Sequence, residues 1–193
     1  LLFFELLKDH SIKDALNSFE GNEKDAIWVI TQIEARRFDS DEIHPVEEKT
    51  CMIYLTSACN LRCPHCYLSA GKALEKELST KEIKDLLLLL HKEGIKELTF
   101  SGGEISVRKD LLEILAFAKE LSFETKLLTN GTLWDTESIE VASKLISAIQ
   151  ISVDGYSDEE NAKIRGKGNF IKSLDTLDRF LENGISAQLA ITP

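Results

Sequence analysis

Residues 1–37 carry apolar side chains at helical spacing: Leu2, Phe3, Leu6 and Leu7, then Ile12, Ala15, Leu16 and Phe19, then Ala26, Ile27, Ile30 and Ile33. The pattern predicts three short helices, with Ser11 as an N-cap, Gly21 ending the second and Asn22 capping the third. So small a unit buries too little surface to be stable alone. From Phe38 to Lys49 the chain is acidic, holds one of its three prolines and has no apolar period. Residues 41–49 therefore read as a linker between a helical segment, 1–40, and a larger domain, 50–193.

Beyond the linker the pattern becomes strand, loop, helix, repeated. Strands are predicted at Cys51–Thr56, Lys96–Ser101, Thr125–Thr129, Ala148–Val153 and Ile185–Thr192. Helices are predicted at Thr80–Lys92, Lys109–Leu121, Thr136–Leu145 and Phe170–Glu182. Ser79 and Glu82 form a capping box before the first of these, Gly94 follows its end, and Asp135 caps the third. The strands are short and apolar (MIYL, LTF, KLLT, IQISV, AQLAI), as expected of a parallel α/β sheet buried on both faces. Periodicity leaves open a doubly wound sheet or the first part of a (β/α) barrel, the chain ending after about five strands. In either case chemistry belongs in the loops after strand C-termini, here 59–66, 102–104, 130–131 and 154–155.

Hydrophobic residues make up 43% of the 193 and charged ones 29%, the balance of a soluble globular chain. The longest apolar run, Leu86–Leu90, is flanked by charge and falls far short of the ~20 residues that span a bilayer. No membrane association is expected. Asp and Glu number 33 against 23 Lys and Arg, a net charge of −10, which repels polyphosphate and argues against nucleic acid as a partner. The chain opens at Leu1 with no signal-peptide pattern, so it reads as a cytoplasmic fragment lacking its true N-terminus.

Cysteines stand at 51, 59, 63 and 66. Three within one short loop are too clustered for a disulfide framework, which points to metal in a reducing compartment. Cys59, Cys63 and Cys66 have the spacing C-x3-C-x2-C, a soft donor set for zinc or an iron–sulfur cluster. Both usually take four protein ligands. His65 would complete a zinc shell only with strain, standing between two ligands, and Cys51 reads as a buried small apolar residue. Three thiolates and one open iron suit a cluster that binds something exogenous.

With Tyr67 after the last cysteine and Gly102-Gly103-Glu104 after the second strand, the chain resembles the radical S-adenosylmethionine (SAM) enzymes. It departs from their usual pattern at Ile105, where proline is common. The resemblance implies a [4Fe-4S] cluster on Cys59, Cys63 and Cys66, with SAM chelating the fourth iron through its amine and carboxylate. It also implies that the Gly102–Glu104 segment meets the SAM amine and that Tyr67 approaches the adenine with its backbone. Asn130 in LLTNG, Ser152 in ISVDG and Arg165 in KIRGKGNF resemble further SAM contacts. As independent chemistry, glycines permit close backbone approach, Glu104 carries a charge suited to an ammonium group, and Arg165 a fork suited to a carboxylate. Asn130 and Asp154 can equally be turn formers.

The segment Asp154-Gly155 followed by RGKGNF is similar to the peptide-modifying branch with a SPASM or twitch extension. That branch often has His-Asp where this chain has Asn161-Ala162. The N-terminal helices resemble the winged helix–turn–helix part of a leader-peptide recognition domain, whose strands would grip the leader by strand addition. Together these imply a radical SAM peptide maturase. It would cleave SAM to a 5′-deoxyadenosyl radical and form a thioether or carbon–carbon crosslink, with a leader-bearing precursor peptide and an external one-electron reductant as partners. Maturation of a protein residue, as in sulfatase-activating relatives, and small-molecule radical chemistry are the enzymatic alternatives. A non-catalytic peptide-binding or cluster-carrying module is the alternative of another class.

Overall fold

The computed structural model describes residues 49–192, all of which fall in the second of the two units into which the chain divides, Glu48–Pro193. The expected helical segment and nearly all of the linker lie outside the described residues. The elements are β1 (Thr50–Tyr54), α1 (Thr80–Lys92), β2 (Glu97–Ser101), a 3-10 turn (Ile105–Val107), α2 (Leu111–Glu120), β3 (Glu124–Thr129), α3 (Thr136–Ala142), β4 (Ala148–Asp154), α4 (Asp158–Arg165), α5 (Asn169–Glu182) and β5 (Ser186–Thr192).

All neighbouring strands pair in parallel, in the order β1-β2-β3-β4-β5. A doubly wound sheet reverses its order at a switch point. This one does not, so it is a partial (β/α) barrel. The winding also corrects the expectation that both sheet faces are buried. Ile53, Leu98, Phe100, Leu127, Ile149 and Ile151 are buried and join Ile83, Leu87, Ile114, Leu115, Ile139 and Phe180 of the helices in one core. Their neighbours in the strands, Met52, Tyr54, Thr99, Lys126, Leu128, Gln150 and Ser152, are half-buried or exposed. The strands alternate because helices cover one face and the site occupies the other. Cys51 is half-buried against the core rather than fully buried.

The helix ends follow the sequence signals. Ser79 and Glu82 form the reciprocal capping box of α1, and Gly94 follows that helix with φ +79°. Asp135 caps α3, accepting from the backbone N–H of Ser138 at 2.8 Å. Helix α4 was not foreseen, since its one fully buried side chain is polar, Asn161. Where peptide-modifying relatives often carry His-Asp, that asparagine accepts from the backbone N–H of Asp154 at 3.0 Å and fixes the end of β4.

Candidate cluster and cofactor site

The loop carrying the cysteines is closed at its neck by main-chain bonds. Ala58 and Gly71 form an isolated parallel bridge, with Cys59 N–H donating to Gly71 O at 3.0 Å and Gly71 N–H to Ser57 O at 2.8 Å. Glu77 braces the same neck, accepting from Thr56 Oγ1 at 2.8 Å, Ser57 N at 2.7 Å and Leu74 N at 3.0 Å. Desolvation pushes its carboxyl up, but those three hydrogen bonds and the Arg108 charge hold it below its ordinary range. Within the loop, Cys66 N–H donates to Cys63 O at 3.1 Å. The turn so formed sets Cys63 and Cys66 on the wall of one cavity with Cys59.

Both glycines after β2 are required by close approach. A Cβ on Gly102, whose φ is +145°, would lie 2.4 Å from Thr56 O, and one on Gly103 would lie 2.3 Å from Ala58 O. Bare backbone lets Gly103 N–H reach Thr56 O and Glu104 N–H reach Ala58 O, each at 2.8 Å, so the two loops interlock. Ile105, standing where proline is common, is fully buried in the core.

Glu104, expected near the SAM amine, follows directly on the cavity-lining Gly102 and Gly103. It is fully buried and does not line the cavity. Its carboxylate accepts from Thr129 Oγ1 at 2.6 Å, Asn130 N at 2.6 Å, Ser106 Oγ at 2.6 Å and Ser106 N at 3.0 Å. These are main-chain and hydroxyl donors of the turn after β3 and of the 3-10 turn after β2, and each needs an acceptor. Ser173 and Thr176 of α5 complete that turn, donating to Asn130 O and Gly131 O, each at 2.7 Å.

The remaining expected residues meet. Cys59, Cys63, Cys66, Tyr67, Gly102, Gly103, Asn130, Ser152 and Arg165 line one cavity of about 320 Å³. Arg165 is held by an ion pair from Nε to Asp154 Oδ2, both side chains largely buried, and His65 Nε2 lies 3.4 Å from Asp154 Oδ1. Tyr67 is exposed and stands edge-on to Tyr54, their ring centroids 6.5 Å apart. Gln150, Thr129 and Leu128 also line the cavity and went unforeseen. Gln150 was discoverable, since it shares a strand face with Ser152 two residues on.

The three thiols are half-buried and free. Burial pushes the Cys59 thiol up against the pull of the Leu61 N–H, which donates to its sulfur at 3.4 Å. Burial raises Cys63 as well, offset in part by the Arg165 guanidinium. Cys66 Sγ accepts from Ala70 N–H at 3.4 Å. Three thiolates on a single zinc would stand about 3.8 Å apart, given Zn–S bonds of about 2.3 Å. Among the described residues no three His, Cys, Asp or Glu side chains are grouped to hold one metal ion. A cluster takes one thiolate per iron, and soft donors with N–H bonds to sulfur fit it.

Known proteins resemble this chain in sequence and fold. The sporulation killing factor maturation protein SkfB of Bacillus subtilis is 34% identical over 145 residues, which cover 74% of this chain and 35% of that protein. Fe-coproporphyrin III synthase of Methanosarcina barkeri is 41% identical over 141 residues, covering 72% of this chain and 35% of that protein. The chain thus spans about a third of the length of these relatives. Among solved structures, Streptococcus suis SuiB bound to precursor peptide SuiA matches in fold with a TM-score of 0.67. That match covers 97% of this chain and 44% of SuiB at 18% identity. The sequence profile of the Radical SAM superfamily matches residues 53–192, well over half of the chain, which therefore belongs to that superfamily.

Proposed function

We propose that this chain is the cluster- and SAM-binding core of a radical SAM enzyme that matures a ribosomally made peptide. The observation that carries the reading is the single cavity lined by three thiols, two close-packed glycines, Ser152 and Arg165. Its volume, about 320 Å³, lies within the range of small-molecule sites. A [4Fe-4S] cluster and SAM are the cofactors of this superfamily.

When bound, they supply a one-electron reductive cleavage that yields methionine and a 5′-deoxyadenosyl radical, with the electron from an external reductant. Cys59, Cys63 and Cys66 would hold the cluster, leaving one iron for the amine and carboxylate of SAM. Arg165, aimed by Asp154, offers its guanidinium to that carboxylate. Ser152 offers a hydroxyl beside it, and Gly102 and Gly103 offer bare backbone. Tyr67 would approach the adenine with its backbone, and Leu128 supplies an apolar part of the wall. The Gly102–Glu104 segment would meet the SAM amine, with Glu104 held by Thr129, Asn130 and Ser106.

The name of SkfB, a maturation protein, supports a peptide substrate and with it a thioether or carbon–carbon crosslink. The test is product formation from a leader-bearing precursor peptide, compared with the same peptide without its leader. A second reading has its own support: Fe-coproporphyrin III synthase is the more similar of the two relatives in identity, which favours small-molecule radical chemistry. Deoxyadenosine formation that no peptide stimulates would favour that reading.

A further inference from the structure

Three side chains from two loops close a ring of hydrogen bonds beside Cys59. Asn130 Nδ2 donates to Asn60 Oδ1 at 2.9 Å, Asn60 Nδ2 donates to Thr132 Oγ1 at 2.8 Å, and Thr132 Oγ1 donates to Asn130 Oδ1 at 2.7 Å. The orientation of the Asn130 amide follows from chemistry. Thr132 backbone N–H, which can only donate, lies 2.9 Å from Asn130 Oδ1, so the oxygen faces Thr132 and the nitrogen faces the cysteine loop. One amide hydrogen serves Asn60. The nitrogen also lies 4.0 Å from Cys59 Sγ, within reach of a hydrogen bond to sulfur.

The rest of Asn130 is equally fixed. Its backbone N–H donates to Glu104 and its carbonyl accepts from Ser173, and the residue is buried. Asn60 lies next to Cys59 in the chain, so the ring ties the first limb of the cysteine loop to the β3 turn. Closed rings in which every donor has an acceptor hold their members in one arrangement.

We infer that Asn130, locked by Asn60 and Thr132, is a positioning residue that donates an N–H to the Cys59 sulfur and raises the reduction potential of the cluster. A donor to a ligand sulfur draws negative charge off the cluster and favours the reduced form. Leu61 N–H donates to the same sulfur, so Cys59 has one donor from its own loop and one delivered across the cavity. The inference rests on the cluster reading above.

The test compares the wild-type chain with Asn130→Ala and Asn60→Ala. After reconstitution with iron and sulfide, midpoint potentials are read by EPR-monitored titration. Asn130→Ala is expected to keep the iron content and shift to a more negative potential, and Asn60→Ala to shift less. In the cluster-free chain, backbone hydrogen exchange across Cys59–Cys63 is expected to rise in both variants, while Thr80–Lys92 exchanges as in wild type. Unchanged potentials together with unchanged exchange in that loop would overturn the inference. A wild-type chain that takes up no cluster would sink the cluster reading instead, and the exchange data would then decide by themselves whether the ring fixes the loop.

Discussion

Glu104 accepts a hydrogen bond from the backbone N–H of Asn130 at 2.6 Å, tying the loop after β2 to the turn after β3 inside the protein. The same carboxylate serves Thr129 and Ser106. The carboxylate thus braces the scaffold behind the cavity. Glu104→Ala would leave these donors buried and unpaired, at about 1–3 kcal/mol for each group that no water reaches. A loss of about 3–5 kcal/mol in urea unfolding of the cluster-free chain is expected. A residue that served only the SAM amine would leave that stability unchanged.

Gly103 is a steric requirement of the interlocked loops. Gly103→Ala is expected to force the neck of the cysteine loop outward, since the new Cβ would lie 2.3 Å from Ala58 O. Overpacking of this kind costs about 1–3 kcal/mol. Iron uptake should fall sharply, while Gly184→Ala, strained by about 1–2 kcal/mol at φ +78° but with nothing within 4 Å of its Cβ, should leave uptake at the wild-type level. Equal uptake by the two variants would contradict the interlock.

The fold and much of the site were legible in the sequence, because close approaches and caps leave strong local signatures. Ser79-x-x-Glu82, Gly94 and the cysteine spacing are such signatures, each tied to one backbone geometry. What stayed hidden is work done by polar residues in buried places. Helix α4 buries Asn161, and α5 buries Ser173 and Thr176 along with Phe180, so apolar periodicity is diluted where these helices brace the site. The buried partners of Glu104 stayed hidden for a related reason. A carboxylate beside two glycines has the chemistry of a ligand contact, and only the three-dimensional path of β3 reveals the donors it must satisfy.

Arg165→Ala should weaken SAM binding to the cluster-loaded chain by about 10- to 100-fold, the weight of a hydrogen bond to a charged group. Asp154→Ala should weaken it too, because Arg165 is then no longer aimed. Equilibrium binding of SAM checks both. An unchanged dissociation constant in Arg165→Ala would remove the arginine from the site.

Arg108 bonds both oxygens of Asp110 and the carbonyls of Leu55 and Leu78, clamping the two ends of the cysteine-loop segment. It holds the Asp110 carboxyl well down, to about 2, with burial opposing and Thr80 assisting. A carboxyl lowered by folding stabilises the protein above its unfolded pKa of about 3.9 and loses that contribution as pH falls through the folded value. The stability gap between wild type and Asp110→Asn should therefore be full above about pH 4 and shrink toward about pH 2. Denaturant midpoints across that window provide the check, and a gap independent of pH would contradict the clamp.

The central claim is that Cys59, Cys63 and Cys66 hold a cluster with an iron open to SAM. Anaerobic reconstitution of wild type, Cys63→Ala and Cys51→Ala, with iron counts and the EPR spectrum before and after SAM, tests it most directly. About four irons per chain are expected in wild type and Cys51→Ala, with a reduced-state spectrum that changes when SAM is added, and no stable cluster in Cys63→Ala. Equal iron in Cys63→Ala and wild type, or a spectrum indifferent to SAM, would contradict the account.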